Sequence, residues 1–184
     1  EEDRIEPFVK LSGEAGALEW ETGLRYQWTD VSITDFTVDP ADADAENDYG
    51  EFLPSAHLRW NLDENNRITG SVARTMRRPG FDQISPELGD NDLLGNPDLE
   101  PETAWGLDLG WERRLGRTGV VGVNAFYRDI SDLIEIANTG VEGDEGPGTF
   151  VLQPRNTGDG EVWGLELDLS TPLTAFGWDN TGVF

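Results

Sequence analysis

The sequence predicts an all-β fold, an antiparallel up-and-down meander of about seven or eight strands. Stretches of about ten residues alternate strictly between apolar and polar side chains, which is the period of a strand. Short turns alternate with long connections along the chain, and no segment carries the apolar stripe of a helix. Glycine accounts for 22 of the 184 residues, a content typical of turn-rich β proteins.

The first predicted strand covers residues 18–28, where apolar and aromatic side chains occupy most even positions. A second strand covers residues 56–62, and the short polar turn DENN at 63–66 leads to a partner strand at 67–76. Each of these strands has one apolar and one polar face. Between the first two strands we predict a long loop at 29–51, which includes the acidic, proline-led stretch at 39–48.

The next connection, residues 77–102, is an unpatterned loop with four prolines, and loops of this length in a folded protein are usually functional. It leads to a strand at 103–113. The apolar positions of that strand are Trp105, Leu107, Leu109 and Trp111. The turn LGRTG at 115–119 then predicts a hairpin with a return strand at 120–136.

The last part of the chain repeats this scheme. An open loop is predicted at 138–148, and a proline-bearing approach at 153–162 leads to a strand at 163–169. A turn at 170–177 precedes the beginning of another strand at 178–184. In an antiparallel meander every second connection lies at the same edge, so the three long loops lie at one rim and the short turns at the other.

Charge and composition exclude several classes of function. The net charge of −24 and the pI of about 4.1 repel the phosphate backbone, so no nucleic-acid partner is expected. The absence of cysteine excludes a disulfide scaffold and a thiolate metal site. No apolar run approaches the roughly 18 residues of a membrane-spanning helix, and no basic and apolar start indicates a signal peptide.

The alternation leaves two architectures open. In a soluble β-sandwich or lectin-like module the apolar faces form the core, whereas in a membrane barrel they meet lipid and the polar faces line the lumen. The tryptophans fall near the ends of the apolar faces, where an aromatic girdle at a membrane interface would lie. These six positions are Trp20, Trp28, Trp60, Trp105, Trp111 and Trp163.

Candidate chemical sites are few. Asp42, Asp44 and Glu46 would fall at the first three ligand positions of a calcium loop, but Asn47 replaces its required glycine and Leu53 its bidentate glutamate. Asp90 and Asp92 form a second acidic stretch, and solvated loops explain both stretches better than metal sites do. With a single histidine, His57, and no cysteine, the chain lacks the side chains of the usual zinc sites and of the usual pairs of nucleophile and base. We therefore predict no catalytic residue, no cofactor site and no metal site.

Arginines are the densest basic groups in this acidic chain. They are Arg74, Arg77, Arg78, Arg113 and Arg114. On a polar face such side chains can bind an anionic ligand or the carboxylates of another domain. With 37 acidic residues in the chain, salt bridges to neighbouring strands are the simpler expectation.

Five ordered motifs resemble those of a known family. RPGFDQISP (78–86), GNPDLEPET (95–103), the strand AWGLDLGWER, the return NAFYRDISDLIE and the later RNTGDGEVWGLELDLSTPL together are similar to the TonB-dependent receptors of Gram-negative outer membranes. The resemblance covers most of the chain from about Phe52 onward. A single GNP would be a weak signal, but five elements in the family's order are specific.

The resemblance implies that residues 1–184 are part of a transmembrane β-barrel of about 22 strands, without the plug domain and the remaining strands. It implies TonB-dependent uptake of a scarce nutrient, such as a siderophore, vitamin or carbohydrate, and no enzymatic activity. The implied partners are that nutrient, the lipid bilayer, and the TonB complex through the absent plug. The isolated piece, with free sheet edges and an apolar face, is expected to self-associate.

The motif residues are expected to be structural. Prolines fix φ and withhold an amide donor, so a proline-bearing run entering a strand defines where the strand begins and prevents a register slip. The residues in question are Arg78, Pro79, Gly95, Asn96, Pro97, Leu99, Pro101 and Glu102. The external loops at 77–102 and 138–148 are the candidate ligand-contacting segments, and no individual ligand-binding residue is predicted.

Overall fold

The computed structural model describes residues 1–34, 44–85, 88–89, 92–116, 118–143, 146 and 148–171. The described part contains ten strands of one sheet and one short helix. In chain order they are β1 (Glu2–Ile5), β2 (Phe8–Ala15), β3 (Leu18–Thr34), β4 (Asp44–Asn61), β5 (Asn66–Arg77), α1 (Phe81–Ile84), β6 (Leu88–Gly89), β7 (Leu93–Leu94), β8 (Glu102–Leu115), β9 (Gly119–Glu142) and β10 (Phe150–Ser170).

The sheet is an open, mostly antiparallel meander, which confirms the predicted fold class. β1 and β2 lie end to end along β3, with Ile5 opposite Trp28 and Phe8 opposite Arg25, in one continuous register. They separate at Pro7, which has no amide to donate to the ladder. β3, β4, β5, β8, β9 and β10 then follow as successive antiparallel neighbours. The tiny strands β6 and β7 join the sheet through Leu93, which pairs in parallel with Leu152 of β10.

The short turns lie at one end of the sheet. The β2–β3 turn uses Gly16 at φ +64° and the β8–β9 turn uses Gly116 at the same angle, a conformation that suits glycine. In the β4–β5 turn, Asp63 Oδ1 accepts hydrogen bonds of 2.8 Å from the amides of Asn65 and Asn66. These bonds favour the ionised carboxylate, and they lower the pKa of Asp63 below its usual value.

Two of the predicted long loops are shorter than expected. β3 continues to Thr34 and β4 begins at Asp44, so the prediction of loop at 29–51 was wrong at both ends, and residues 44–48 of the acidic stretch are strand. β9 continues to Glu142, so the loop predicted from residue 138 begins later. The physical reason is that backbone pairing persists where the apolar face turns polar, as at Ser32 opposite Glu46, while Val31 and Ile33 point to the other face.

Other boundaries also differ from expectation. The approach at residues 153–162 is part of β10, where register shifts near Asn156 and Gly158 mark bulges. The loop at 77–102 contains the four-residue helix α1, and Gln83 caps it by accepting a 2.8 Å hydrogen bond from the amide of Gly80. The strand predicted at 178–184, like most of the turn before it, lies outside the described residues.

Within the described residues, none of the helical segments has the length and apolar character needed to cross a bilayer. The buried core is correspondingly small. Val31, Ile84 and Leu99 form one cluster, against which Ile33 and Ile134 pack. This core lies at the end of the sheet that carries the long connections, and it positions the site described next.

Candidate functional site

Strand register gathers the apolar side chains onto one face of the sheet, the apolar face. Directly opposite residues in antiparallel strands point to the same side. One such row runs across five strands through Trp60, Ile68, Trp111, Val123 and Leu167. The side chains stay uncovered, because the described residues form a single sheet with no second layer; Leu109 is 58% exposed and Leu167 79%. The soluble sandwich alternative required this face to be buried.

The height of the apolar face matches the apolar part of a membrane. On β3 it extends from Leu18 to Trp28. Ten residue steps of about 3.3 Å, tilted by about 40°, give roughly 25 Å, the height of the apolar band of outer-membrane barrels. On the loop side the band ends abruptly at Asp3, Asp30 and Asp48, which lie opposite one another on three strands.

The tryptophans lie toward the two edges of this band. Trp20, Trp60 and Trp111 are near the short turns, whereas Trp28 and Trp105 are near the long loops. On β10, Trp163 begins the apolar run at its loop side and is 74% exposed. Amphipathic rings at both edges are typical of a band that meets two lipid and water interfaces.

The opposite, polar face carries ordered charge pairs between strands. Arg59 lies opposite Glu19 with a 3.0 Å contact, and Arg67 lies opposite Glu112 at 2.9 Å. Arg128 reaches Asp108 at 2.8 Å. All of these groups are about one-third to one-half exposed, so the pairs contribute little stability individually. Their effect is to present a hydrated wall whose cations are already matched by carboxylates.

A hollow of about 910 Å³ opens mainly on this polar face, near the short turns. Glu21, His57 and Ser71 line it from three successive strands. His57 therefore belongs to the polar wall. Within the described chain, no three His, Asp or Glu residues converge closely enough to hold a metal ion. Asp42 and Asp90 lie outside the described residues.

The segment at residues 78–101, the rim segment, folds onto the polar side of the sheet at its loop end. Leu99 is 1% exposed and packs with Val31 of β3 and Ile84 of α1. The carbonyl of Leu99 accepts a 2.8 Å hydrogen bond from Asn47 Nδ2 of β4. The rim segment is thus anchored to the wall by both apolar and polar contacts.

Hydrogen bonds tie the other side of the rim segment to β10. Asn96 Nδ2 donates to the carbonyl of Pro154 at 3.0 Å, and Gln153 Nε2 donates to the carbonyl of Gly95 at 3.0 Å. Asn156 holds Glu100 twice: its Oδ1 accepts from the Glu100 amide and its Nδ2 donates to the Glu100 carbonyl, both at 3.0 Å. The rim segment therefore bridges β4 and β10.

Gly95 occupies a position where a side chain does not fit. A Cβ atom added there would lie 1.9 Å from the carbonyl oxygen of Ser85. The close approach lets the amide of Asn96 donate to the carbonyl of Gln83 at 2.7 Å. The glycine of the motif is thus explained by backbone contact within the rim segment.

Glu102 closes the rim segment where β8 begins. Its Oε1 accepts from Arg77 Nη2 at 2.6 Å and from the amide of Ile134 at 2.8 Å.

The other motif residues lie on either side of this closure. Pro101 is buried just before Glu102, and Pro97 lies in a turn in which Asn96 Oδ1 accepts from the amide of Asp98 at 3.1 Å. Arg78 and Pro79 lie at the other end, where Arg78 Nη1 contacts Glu2 at 2.9 Å. Arg78 and Pro79 are partly exposed and lie close to Val31 and Ile84 of the core cluster, and the other predicted motif residues lie near β8, β10 or the same cluster.

The arginines divide into two groups. Arg74, Arg77 and Arg78 form ion pairs with Glu51, Glu102 and Glu2, respectively, so the expected salt bridges to acidic strands are confirmed for them. Arg113 and Arg114, near the short turns, have no ion pair with any described carboxylate. The paired group lies at the loop end, next to the rim segment.

Several anchoring residues were not foreseen. Asn47 and Gln153 carry no local pattern, because their partners are 52 and 58 residues away along the chain. Asn156 lies within the motif RNTGDG, which contributed to the family resemblance, but the sequence predicted no role for this residue. Asp132, at φ +61°, lies beside the bulge and its carbonyl accepts a 2.7 Å hydrogen bond from Asn156.

Comparisons with known proteins agree with this geometry. Residues 2–184 match the family described as TonB dependent receptor-like, beta-barrel. An iron-regulated outer membrane virulence protein of Vibrio cholerae is 30% identical over 140 residues, which is 71% of this chain and 22% of that protein. The ferric enterobactin receptor PirA of Pseudomonas aeruginosa is 31% identical over 147 residues, 71% of this chain and 19% of that protein. The chain therefore spans about a fifth of the curated relatives it matches.

Solved structures show the same fold. The siderophore receptor PirA from Pseudomonas aeruginosa superposes with a TM-score of 0.64 at 20% identity, over 94% of this chain and 40% of that one. The hemophore receptor HasR of Serratia marcescens, solved with its hemophore and heme, gives a TM-score of 0.71 at 19% identity, over 91% of this chain and 31% of the receptor.

Proposed function

Because the chain belongs to the TonB-dependent receptor family, through that family's β-barrel domain, we propose that it forms part of the wall of an outer-membrane receptor that imports a scarce nutrient. The family is located in the outer membrane, and the predicted membership and location are confirmed. Residues 1–184 are, in this proposal, one portion of the barrel domain, and the plug and the remaining strands belong to other parts of the receptor.

The observation that carries the proposal is the two-faced sheet. An uncovered apolar band of roughly 25 Å, edged by tryptophans and then by carboxylates, suits a lipid bilayer. A polar face with matched charges suits a hydrated lumen. The rim segment lies on that polar side, at the end with the long connections, and in this proposal an incoming ligand passes there.

The names of similar proteins support a class of ligand. Their names include a ferric enterobactin receptor, a hemophore receptor and a copper transporter, which supports a small metal-bearing nutrient as the cargo. We propose that the loops at residues 77–102 and 138–148 contact it. Import would require the TonB complex, acting through the plug domain. No chemical conversion of the cargo is proposed, because the family consists of receptors and transporters.

The motif residues serve, in this proposal, to hold the rim segment in place. Leu99 supplies the apolar anchor, Gly95 the close backbone approach, and Asn96 and Glu102 the hydrogen bonds to β10 and β9. Arg78 and Pro79 start the segment, while Pro97 and Pro101 keep it out of the strand ladder. Removed from its barrel and from lipid, the chain is expected to self-associate through its free edges and apolar face.

An uptake assay tests the proposal. The intact receptor is expressed in a Gram-negative host that lacks its own iron receptors, and uptake of labelled metal is measured from ferric siderophores, heme and copper complexes. We expect at least one cargo to accumulate, and we expect accumulation to stop when the host's TonB is deleted. A receptor that reaches the outer membrane but transports none of these cargoes, nor any vitamin or oligosaccharide, contradicts the proposal.

A further inference from the structure

A second pocket, of about 400 Å³, lies between the polar face and the start of the rim segment. Glu2 of β1, Val31 of β3 and Tyr49 of β4 line one side, and Arg78, Phe81 and Ile84 line the other. Its volume is within the range of small-molecule sites, which combine apolar walls with a few polar groups. The described geometry therefore offers a place for a small ligand or for one group of a larger ligand.

The floor of this pocket is buried and apolar. Val31 and Ile84 are each 4% exposed, and both belong to the core cluster that anchors the rim segment. Above the floor, the ring of Phe81 is 53% exposed. An exposed phenylalanine beside a buried apolar floor offers a surface for a ring-sized apolar body, because aromatic rings gain both from area burial and from ring contacts.

The charge of the pocket favours an anion. Glu2 Oε1 is contacted by Arg78 Nη1 at 2.9 Å and by Arg4 Nε at 3.1 Å. Two guanidinium groups therefore share one carboxylate oxygen. Arg4 also contacts Glu6 at 3.5 Å, and Glu6 contacts Arg25 at 3.7 Å, so this connected cluster of three arginines and two glutamates carries one excess positive charge, and Arg78 is its guanidinium in the pocket lining. Arg77, which also lines the pocket, is neutralised by Glu102.

Arg78 also has hydrogen-bonding capacity to spare. A guanidinium carries five N–H donors, and among the described residues Glu2 accepts from one of them. The side chain is 33% exposed, so its remaining donors are accessible from the pocket. The half-buried phenol of Tyr49 adds a further polar group on the facing wall.

We propose that this pocket binds an anionic group carried on a ring-sized apolar body, such as an aromatic carboxylate, with Arg78 holding the anion and Phe81 contacting the ring. The inference deepens the proposed function and rests on it in one respect: the anionic group is taken to be a part of the imported ligand. Binding of an isolated aromatic anion to the pocket does not depend on transport.

Benzoate is the probe for the test, titrated into the intact detergent-solubilised receptor by calorimetry or ligand-observed NMR. We expect saturable binding that is at least about tenfold tighter than that of acetate, which lacks the ring, or benzyl alcohol, which lacks the charge. Loss of a charged hydrogen-bond donor costs about 1.5–3 kcal/mol, so Arg78→Gln is expected to weaken benzoate binding about tenfold or more. Arg113→Gln makes the same charge change near the short turns and is expected to leave binding unchanged.

Phe81→Ala keeps the test decisive if Arg78→Gln disturbs the contact with β1, because the Phe81 ring is mostly exposed and its loss leaves the core intact. We expect Phe81→Ala to weaken benzoate binding at least about threefold. Benzoate that binds no better than acetate, or that binds the Phe81→Ala receptor as tightly as the parent, overturns the inference. If the receptor transports a nutrient under those results, only the pocket assignment fails; if it transports none, the proposed function fails whatever benzoate does.

Discussion

Leu109→Arg is expected to lower the free energy of unfolding of the intact receptor in a bilayer by about 2–4 kcal/mol. Leu109 is 58% exposed in the middle of the apolar run of β8, between Leu107 and Trp111. If this face meets acyl chains, the substitution places a charge in the hydrocarbon. Urea unfolding of the receptor in vesicles of fixed composition measures the effect.

The control for this substitution is Thr69→Arg. Thr69 lies opposite Gly110, and its neighbour Gly70 lies opposite Leu109. Thr69 therefore points to the polar face. An arginine there enters the hydrated wall near Asp108 and Glu112, so we expect a change of less than about 1 kcal/mol. Equal destabilisation by both substitutions would show that lipid does not contact the apolar face in preference to the polar face.

Leu99→Ala is expected to release the rim segment from the wall. Removing a fully buried leucine side chain typically costs about 2–5 kcal/mol, and Leu99 is the most buried member of the core cluster. Because the cluster is local, the loss is expected to appear as local opening of the segment. Native-state hydrogen exchange at the amide of Asn96, which donates to Gln83, measures this opening directly.

Ile136→Ala provides the comparison for Leu99. Ile136 lies toward the same end of the sheet, on β9, but it is 62% exposed. Ile136→Ala removes as much side-chain carbon as Leu99→Ala does, but little of the surface that it removes is buried. We expect the exchange rate of Asn96 to stay unchanged in this variant. An unchanged rate in Leu99→Ala as well would mean that the core cluster does not hold the rim segment.

The sequence predicted strands best where a lipid-facing pattern was present. β8 was foreseen almost in full, because Trp105 to Trp111 alternate without a break. The outer part of β3, from Thr29 to Thr34, was assigned to a loop, since both of its faces are polar or mixed. β2 was not foreseen: Val9 and Leu11 lie on its apolar face, but Phe8 lies on the polar face and Gly13 interrupts the alternation.

The candidate site was predicted as a set of backbone motifs without their partners. Gly95, Pro97 and Pro101 carry a local signal, because glycine and proline restrict or permit backbone geometry by themselves. The partners of the rim segment on β4 and β10 depend on sheet register, which in turn depends on loops and bulges that alternation does not encode. The contact of Arg78 with Glu2, 76 residues away along the chain, is of the same kind.

The direction in which the apolar face points is tested most directly by single spin labels on β10. The chain has no cysteine, and the neighbouring residues Leu165 and Glu166 lie on opposite faces. With Leu165→Cys or Glu166→Cys labelled in the intact receptor in vesicles, relaxation by oxygen reports lipid and relaxation by a water-soluble nickel chelate reports water. We expect oxygen to dominate at position 165 and nickel at 166; nickel dominating at 165 would contradict a membrane-facing apolar surface.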